Sequence, residues 1–393
     1  MSRTTTRAAL VAVAVAGGAF LALPTAGASQ PDLASAVRAE MLAAQPAAAQ
    51  SAPEPLVEPT RAAGRWAFGS TTIPLTAADE HRAPEMALFI AQRDRKGWQV
   101  ELEGTPGFAD LVAKAPSSVV SDGEKRTFRS HHEALSTQAT NTGLGLPWAQ
   151  GVSWWMGGGP HGNSGTSRPF NSIDFNGGDG RVLSAGPGRV YKSCIRGSSA
   201  LVKVVHDNGY TTTYYHMYDL TTLADGSSVS TGTYLGHIGN ELPCGGSSSG
   251  AHVHFSLLRG TTEISVNGMT IGGWTFYEGS SAYGGYAERN GTRVSRGGRI
   301  TNYGPGTTPG YPTGVVDAGS NSSVNLRSGP GTTYSIVGTV ADGATVSIVC
   351  TSRGSTVEGV WGPTDLWNKL TTNNWISDGF VDTGSNEPVA PAC

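Results

Sequence analysis

Between residues 182 and 216 apolar positions come in short runs and alternations: Val182 to Val190, Leu201 to His206 and Tyr210 to His216. Such runs predict strands, not amphipathic helices. Asp207-Asn208-Gly209 separates the last two runs, and Asn-Gly between strand-like runs predicts a tight hairpin. No long helical periodicity appears from about Thr140 to 302, so this region is expected to be mostly antiparallel sheet. The preceding stretch is mixed. Asp32 to Ala49 is Ala-rich, with Leu33, Val37 and Met41 on one helical face, and Pro53, Pro55 and Pro59 then break it. Trp66 to Leu75 and Trp98 to Leu102 read as strands, and Phe108 to Ala113 as a short helix. After the Pro/Gly/Thr-rich stretch Tyr303 to Gly314, short strands recur at Ser323 to Arg327, Ile336 to Val340, Ala344 to Cys350 and Asn374 to Val381. That spacing predicts a small β-barrel. The fold class expected is mainly β: an antiparallel sheet domain and a C-terminal barrel, preceded by an α+β segment. No repeat of solenoid period is present.

Composition sharpens this picture. Only 15% of the 393 residues are charged, 55 are glycine and the formal net charge is −3. The abundance of glycine suits tight turns, and the charge gives no reason to expect a nucleic-acid partner. Arg3 and Arg7, the apolar run Ala8 to Leu23 and Ala26-Gly27-Ala28 form the three parts of a secretory signal peptide. The run is broken by Gly17 and Gly18 and is too short to span a membrane, and no later run is long enough. The expected organisation is a signal peptide over 1–28, a pro-segment over 29–138, a catalytic domain over 139–302, a linker over 303–314 and a binding domain over 315–393. The pro-segment has core-forming residues but no metal-ligand spacing; an ordinary extra domain is the alternative. Export permits disulfides. Cys194, Cys244, Cys350 and Cys393 allow three pairings, of which Cys194–Cys244 with Cys350–Cys393 keeps each bridge inside one domain.

Six of the nine histidines lie between His161 and His254. In Gly250-Ala251-His252-Val253-His254-Phe255-Ser256, residues two apart share a strand face, so His252 and His254 project together while Val253 and Phe255 face the core. In Ser172-Ile173-Asp174-Phe175 the carboxylate points away from two apolar neighbours. His161 sits in a Gly-Pro-rich loop thirteen residues earlier, and His216 ends an apolar strand. A catalytic zinc takes three protein ligands and keeps one position open. Two histidines and one aspartate fit that count, and a further histidine would serve as base and acid. Residue types alone do not assign these roles.

The order His161, Asp174, His216, His252-x-His254 resembles the lysostaphin-type zinc metalloendopeptidases. The stretches Leu146-Pro147-Trp148-x-x-Gly151, Tyr214-Tyr215-His216-Met217 and Gly246-Ser247-Ser248-x-Gly250-x-His252-x-His254-Phe255-Ser256-Leu257-Leu258 are similar to the β-lytic and staphylolysin branch of that family. The resemblance covers roughly Leu146 to Arg299. It implies one Zn2+ per catalytic domain, bound by His161, Asp174 and His254. It also implies that His216 and His252 act as general acid/base and oxyanion support. A downstream tyrosine assists in that branch; Tyr283 is the best positional match, with Tyr277 and Tyr286 close by. Cys194 and Cys244 match a bridge position there. The implied reaction is hydrolysis of peptide cross-bridges in bacterial peptidoglycan, at Gly-Gly or other glycine-containing bonds, by a secreted, bacteriolytic enzyme made as a zymogen. The rivals are a wall amidase or D-Ala-specific endopeptidase using the same zinc, and a non-catalytic wall-binding protein.

The other histidines have blander expectations. His206, at a hairpin turn, is expected to be exposed; His237 to pack; His81 to be solvated. His131 and His132 lie near the expected cleavage point, where a histidine reaching the zinc would keep the chain latent. Arg289, Arg293, Arg296 and Arg299 read as a solvated basic face. The C-terminal unit, with Val324-Asn325-Leu326-Arg327-Ser328-Gly329-Pro330-Gly331 and Trp375-Ile376-Ser377, resembles bacterial Src-homology-3-like domains. That implies wall binding, with Trp361, Trp367 or Trp375 available for stacking and at least one of them in the core. No membrane partner is expected once the signal is removed, and a monomer is the default.

Overall fold

The computed structural model describes residues 32–44, 53–76, 84–135, 140–163, 165–305, 311–385, 387–390 and 392–393. The expected signal peptide and His81 lie outside them. Among the described residues no helix is long and apolar enough to cross a membrane.

The N-terminal unit runs α1 (Leu33–Ala43), β1 (Leu56–Ala63), β2 (Trp66–Ile73), β3 (Glu85–Asp94), β4 (Gly97–Leu102), α2 (Pro106–Lys114) and α3 (Asp122–Ala134). The Asp32 side chain caps α1 by accepting from the Ser35 amide, and Val37 and Met41 are its buried positions. They pack with Ala87 and Phe89 on one face of the four-stranded sheet β1-β2-β3-β4. Sequence periodicity did not point to α3, and its composition explains why. Its buried positions are Glu124, Thr127, Phe128 and His131, so a single aromatic carries the apolar stripe. A capping box between Ser121 and Glu124 starts the helix instead.

The middle region holds β5 (Ser153–His161), β6 (Ser172–Asn176), β7 (Arg181–Leu183), β8 (Gly188–Arg196), β9 (Ser199–His206), β10 (Tyr210–Tyr215), β11 (Met217–Tyr218), β12 (Ser228–Val229), β13 (Tyr234–Ile238) and β14 (Val253–Arg259). One nine-stranded sheet runs β12-β8-β9-β10-β14-β6-β5 and ends on the strand Arg299–Thr301, with Thr262–Glu263 beside β14. The hairpin at Asp207-Asn208-Gly209 joins β9 and β10, which pair antiparallel. The apolar run expected as one strand from Val182 to Val190 is two. β7 joins a separate sheet with β11 and β13, and β8 enters the large one. Between them the chain turns at Ser184 to Pro187, where proline cannot extend a ladder.

Registers assign side chains to faces. Tyr214 stands opposite Phe255 and Val202, and Phe255 opposite Ile173. These join Trp148, Trp154 and Phe175 in the main core. On the other face, Tyr191 stands opposite Lys203, Lys203 opposite Thr213, Tyr215 opposite His254, and His254 opposite Asp174. The β8–β9 half of this second face is covered by the N-terminal unit: Phe68, Leu88, Phe108 and Phe128 form one cluster with Tyr191, Leu201, Val205 and Tyr215. The β14–β6 half carries the histidines.

The C-terminal unit is a seven-stranded antiparallel sheet with its own core of Val316, Leu326, Ile348, Leu370 and Ile376. Its longest strand, Thr345–Gly359, pairs with Gly362–Leu370. Trp367 and Trp375 are buried, and Trp361 is 56% exposed. The disulfides are Cys194–Cys244 and Cys350–Cys393.

Candidate metal centre

Alternation along β14 buries Val253 and Phe255 in the main core, which leaves His254 on the opposite face. On β6 the same rule buries Ile173 and Phe175 and turns Asp174 toward His254. His161 enters from the end of β5. Three donor atoms converge. His161 Nε2 lies 3.3 Å from His254 Nδ1 and 3.4 Å from Asp174 Oδ1, and His254 Nδ1 lies 3.2 Å from Asp174 Oδ1. These residues form the one His/Cys/Asp/Glu cluster of metal-holding geometry found among the described residues.

The spacing suits a small tetrahedral cation. Bonds of ~2.0–2.1 Å at tetrahedral angles separate donors by roughly 3.3–3.4 Å, which matches the triangle. Asp174 Oδ1 is buried without a hydrogen bond, an uncommon state for a carboxylate oxygen. Burial alone would raise the Asp174 carboxyl, but the His161 and His254 rings outweigh it and hold it well below the ordinary carboxylate value. The Nδ1 of His161 lies 2.8 Å from the Gly159 carbonyl. A carbonyl only accepts, so Nδ1 carries a proton and Nε2 is the nitrogen turned to the cluster.

Two more histidines border the cluster. His252 Nδ1 donates to the Gly250 carbonyl at 2.7 Å, and its Nε2 lies 3.5 Å from Asp174 Oδ1. His216 Nδ1 donates to the Glu241 carbonyl at 3.0 Å, so its Nε2 keeps a lone pair. The His216 and His252 ring centres are 4.8 Å apart. Burial, reinforced by the neighbouring imidazoles, pushes His216 down to about 3, so it is neutral at ordinary pH and presents Nε2 as a hydrogen-bond acceptor. His216 has φ 67°, a left-handed conformation that ends β10 one residue short of the expected strand and turns the ring toward the cluster.

Tyr283 stacks on His161 with ring centres 4.1 Å apart. Burial, with the Asp174 charge, pushes its phenol up to about 12, so it stays a donor. Tyr277 and Tyr286 instead stack on each other and do not line the cleft. Backbone pairing fixes the Tyr283 loop to β5: Gly159 N donates to Tyr283 O at 3.2 Å and Tyr283 N to Pro160 O at 3.1 Å. A Cβ at Gly158 would lie 2.5 Å from Asp174 Oδ2, and one at Gly159 would lie 2.2 Å from the Gly284 carbonyl. The glycines are therefore what lets the loop and the carboxylate close in.

The cleft also includes Asn176, the Ser247–Ala251 segment and Arg296. Arg296, expected on a solvated basic face, is exposed and also forms part of this wall, with Nε donating to the Gly157 carbonyl at 3.0 Å. The other three arginines of that run do not form one face. Arg289 lies over Tyr303, Arg293 pairs with Glu288, and Arg299 lies over Trp155. His206 is 1% exposed, not solvated. Its nitrogens meet the Pro187 carbonyl and the Thr212 hydroxyl, and burial pushes it down to about 4. His131 does not reach the cluster: it is buried in α3 with Nδ1 on the His206 carbonyl at 2.7 Å, and His132 is exposed. His237 is partly buried and bonded to the Ile238 and Asp179 carbonyls.

Comparison with known proteins adds to this geometry. The model described as peptidase family M23 matches residues 168–266, which include Asp174, His216, His252 and His254. The beta-lytic metalloendopeptidase of Lysobacter enzymogenes is 32% identical over 151 residues, which are 36% of this chain and 82% of that protein. The chain belongs to peptidase family M23. Another M23-region relative, protease LasA of Pseudomonas aeruginosa, is 36% identical over 151 residues, 35% of this chain. The chain spans 34% of the LasA sequence. A solved structure described as the M23 metalloprotease pseudoalterin, from deep-sea, is 36% identical and covers 40% of this chain and 97% of that one, with a TM-score of 0.36. The bacterial SH3 domain model matches residues 322–385.

Proposed function

We propose that the chain is a secreted zinc endopeptidase that hydrolyses glycine-containing peptide cross-bridges of bacterial peptidoglycan. The observation that carries this reading is the donor triangle of His161, Asp174 and His254, with two carbonyl-anchored histidines, His216 and His252, at its edge. Bound zinc supplies Lewis acidity toward a water and the scissile carbonyl. The protein's own groups do the rest. His216 Nε2 accepts the proton of the attacking water and returns it to the leaving amine. The Tyr283 phenol donates toward the developing oxyanion, and His252 supports it in the form that carries a proton on Nε2. The cleft is lined by Gly157, Gly158 and the small side chains of Ser247–Ala251, a lining in keeping with glycine on either side of the bond. The names of the LasA and beta-lytic relatives support peptidase chemistry.

In this reading residues 1–28 direct export, 139–302 form the catalytic domain and 303–314 link it to a wall-binding domain over 315–393. The exposed Trp361 supports stacking on a wall ligand, and the tether raises local substrate concentration. The test is incubation of the zinc-loaded protein with pentaglycine-bridged and directly cross-linked peptidoglycan, with and without chelator, followed by mass spectrometry of the fragments. Chelator-sensitive fragments ending in glycine are expected. Cleavage of only the directly cross-linked wall, or release of sugar from peptide, would move the assignment to a D-Ala endopeptidase or an amidase. No cleavage by folded, zinc-loaded protein would leave a binding protein.

A further inference from the structure

The N-terminal unit and the candidate metal centre share one face of the large sheet. Between them runs a partition: the Cys194–Cys244 disulfide and Tyr215, whose hydroxyl accepts from the Cys244 amide at 2.9 Å and donates to the Gly245 carbonyl at 2.8 Å. On one side of the partition, Gly245 leads into the Ser247–Ala251 wall of the cleft. On the other side, the N-terminal unit grips it. Leu75 N donates to the Cys244 carbonyl at 2.7 Å, and the Glu58 carboxylate accepts from the Cys194 amide at 3.0 Å and from the Ser193 hydroxyl. A Cβ on Gly245 would lie 2.1 Å from the Leu75 carbonyl, so backbone packs directly on backbone.

The contact is closed by a buried charge. Lys203 of β9 is fully buried. Its ammonium donates to Glu103 at 2.7 Å and to the Met86 carbonyl at 2.8 Å, both in the N-terminal unit. Without that unit, Lys203 would stand on an apolar face among Tyr191, Leu201 and Val205 with these two acceptors gone. A charged group satisfied across an interface makes separation costly. Among the described residues, none of the N-terminal unit lines the cleft, and His131, the candidate for latency, is engaged elsewhere.

We propose that the N-terminal unit is a lasting, non-occluding partner of the peptidase sheet that props the Cys194–Cys244 wall. Cutting the chain between Leu135 and Thr140 then neither releases it nor is required for hydrolysis. This rests on the peptidase reading only for the second half of the claim.

The test uses the full chain with a specific protease site in place of residues 136–139. Before and after cutting, elution is followed by size exclusion at on the order of 1 µM protein, and hydrolysis of wall peptide is measured with zinc bound. The expected result is co-elution of the two pieces and rates within about twofold of each other, a difference of only ~0.4 kcal/mol in barrier. In the cut Glu103→Gln protein the pieces separate, because loss of the counter-charge weakens the contact by roughly a hundredfold or more. Amide exchange over 244–250 then rises at least about tenfold. Separation of the wild-type pieces on cutting overturns the proposal, as does a chain that is inert until cut. Co-elution with no hydrolysis in either form upholds the retention and sinks the peptidase assignment instead.

Discussion

One sheet face carries two buried polar clusters, and they differ in how they are closed. At β9, Lys203 is answered by Glu103 and the Met86 carbonyl, and aromatic side chains seal the surroundings. At β14 and β6, His161, His254 and Asp174 aim three donor atoms at one another, while Asp174 Oδ1 and His254 Nε2 lack hydrogen bonds. Both clusters are costly to bury. The first is satisfied by protein and acts as a structural lock. The second has donors at metal spacing, as the proposed site requires. A buried charge in this family member is therefore read by what completes it.

Breaking the second cluster should have the largest effect. Asp174→Ala removes one corner of the triangle, so zinc content and wall hydrolysis should both collapse, the rate by at least about 10³-fold. The Asp174 carboxyl sits well below its ordinary value in the folded chain, so the metal-free variant should also lose some stability at neutral pH. A variant that keeps its zinc and its rate would show that the cluster is not the site. Breaking the first cluster should invert the pattern. Glu103→Gln should cost roughly 3–5 kcal/mol in denaturant unfolding while the folded fraction of the uncut chain still hydrolyses wall. Adding Lys203→Met should recover most of that loss. If Glu103→Gln instead abolished hydrolysis in folded protein, the two clusters would not be separable.

A third contrast sets His206 against the site histidines. Unfolded, this ring takes a proton near 6.5; folded, only near 4. Between those values the unfolded chain binds the extra proton, so this contribution to stability is full above about 6.5 and is lost as pH falls toward 4. The loss is on the order of 3 kcal/mol. His206→Gln should flatten that slope in urea melts recorded from pH 7 to 4, and an unchanged slope would assign it to other groups. The smallest effect is expected at Trp361. Trp361→Ala should alter stability by about 0.5 kcal/mol or less yet reduce retention on cell walls. Trp367→Ala, at a buried side chain whose Nε1 donates to the Ser355 carbonyl, should cost about 3–5 kcal/mol.

Much of the site was legible from local pattern. His252-x-His254 and Ile173-Asp174-Phe175 announce their facing through a period of two, because a strand that buries one side must present the other. The hairpin at Asn208-Gly209 and the glycine-rich setting of His161 were equally local. What misled was context. His206 sits beside a turn, which suggests exposure, but the Pro187 carbonyl and Thr212 hydroxyl enclose it. Arg296 lies in a run of arginines that reads as one charged face, whereas strand geometry sends its members to different neighbours. Helix α3 escaped notice because its buried side is largely polar and its partners, Arg61, Phe68 and Phe108 in its own unit and Tyr191 beyond it, are distant in sequence.

By itself, then, the sequence determined the strand-rich class, the alternation that separates core from site, and the residue types a zinc site requires. Tertiary structure decided which of those residues meet. The carbonyls of Gly159, Glu241 and Gly250 set the protonation of His161, His216 and His252, and a backbone carbonyl has no sequence signature. The Lys203–Glu103 pair joins residues 100 positions apart. Neither partner is unusual until folding removes water from both, and that desolvation, a property of the assembled interior, turns two ordinary charges into a lock.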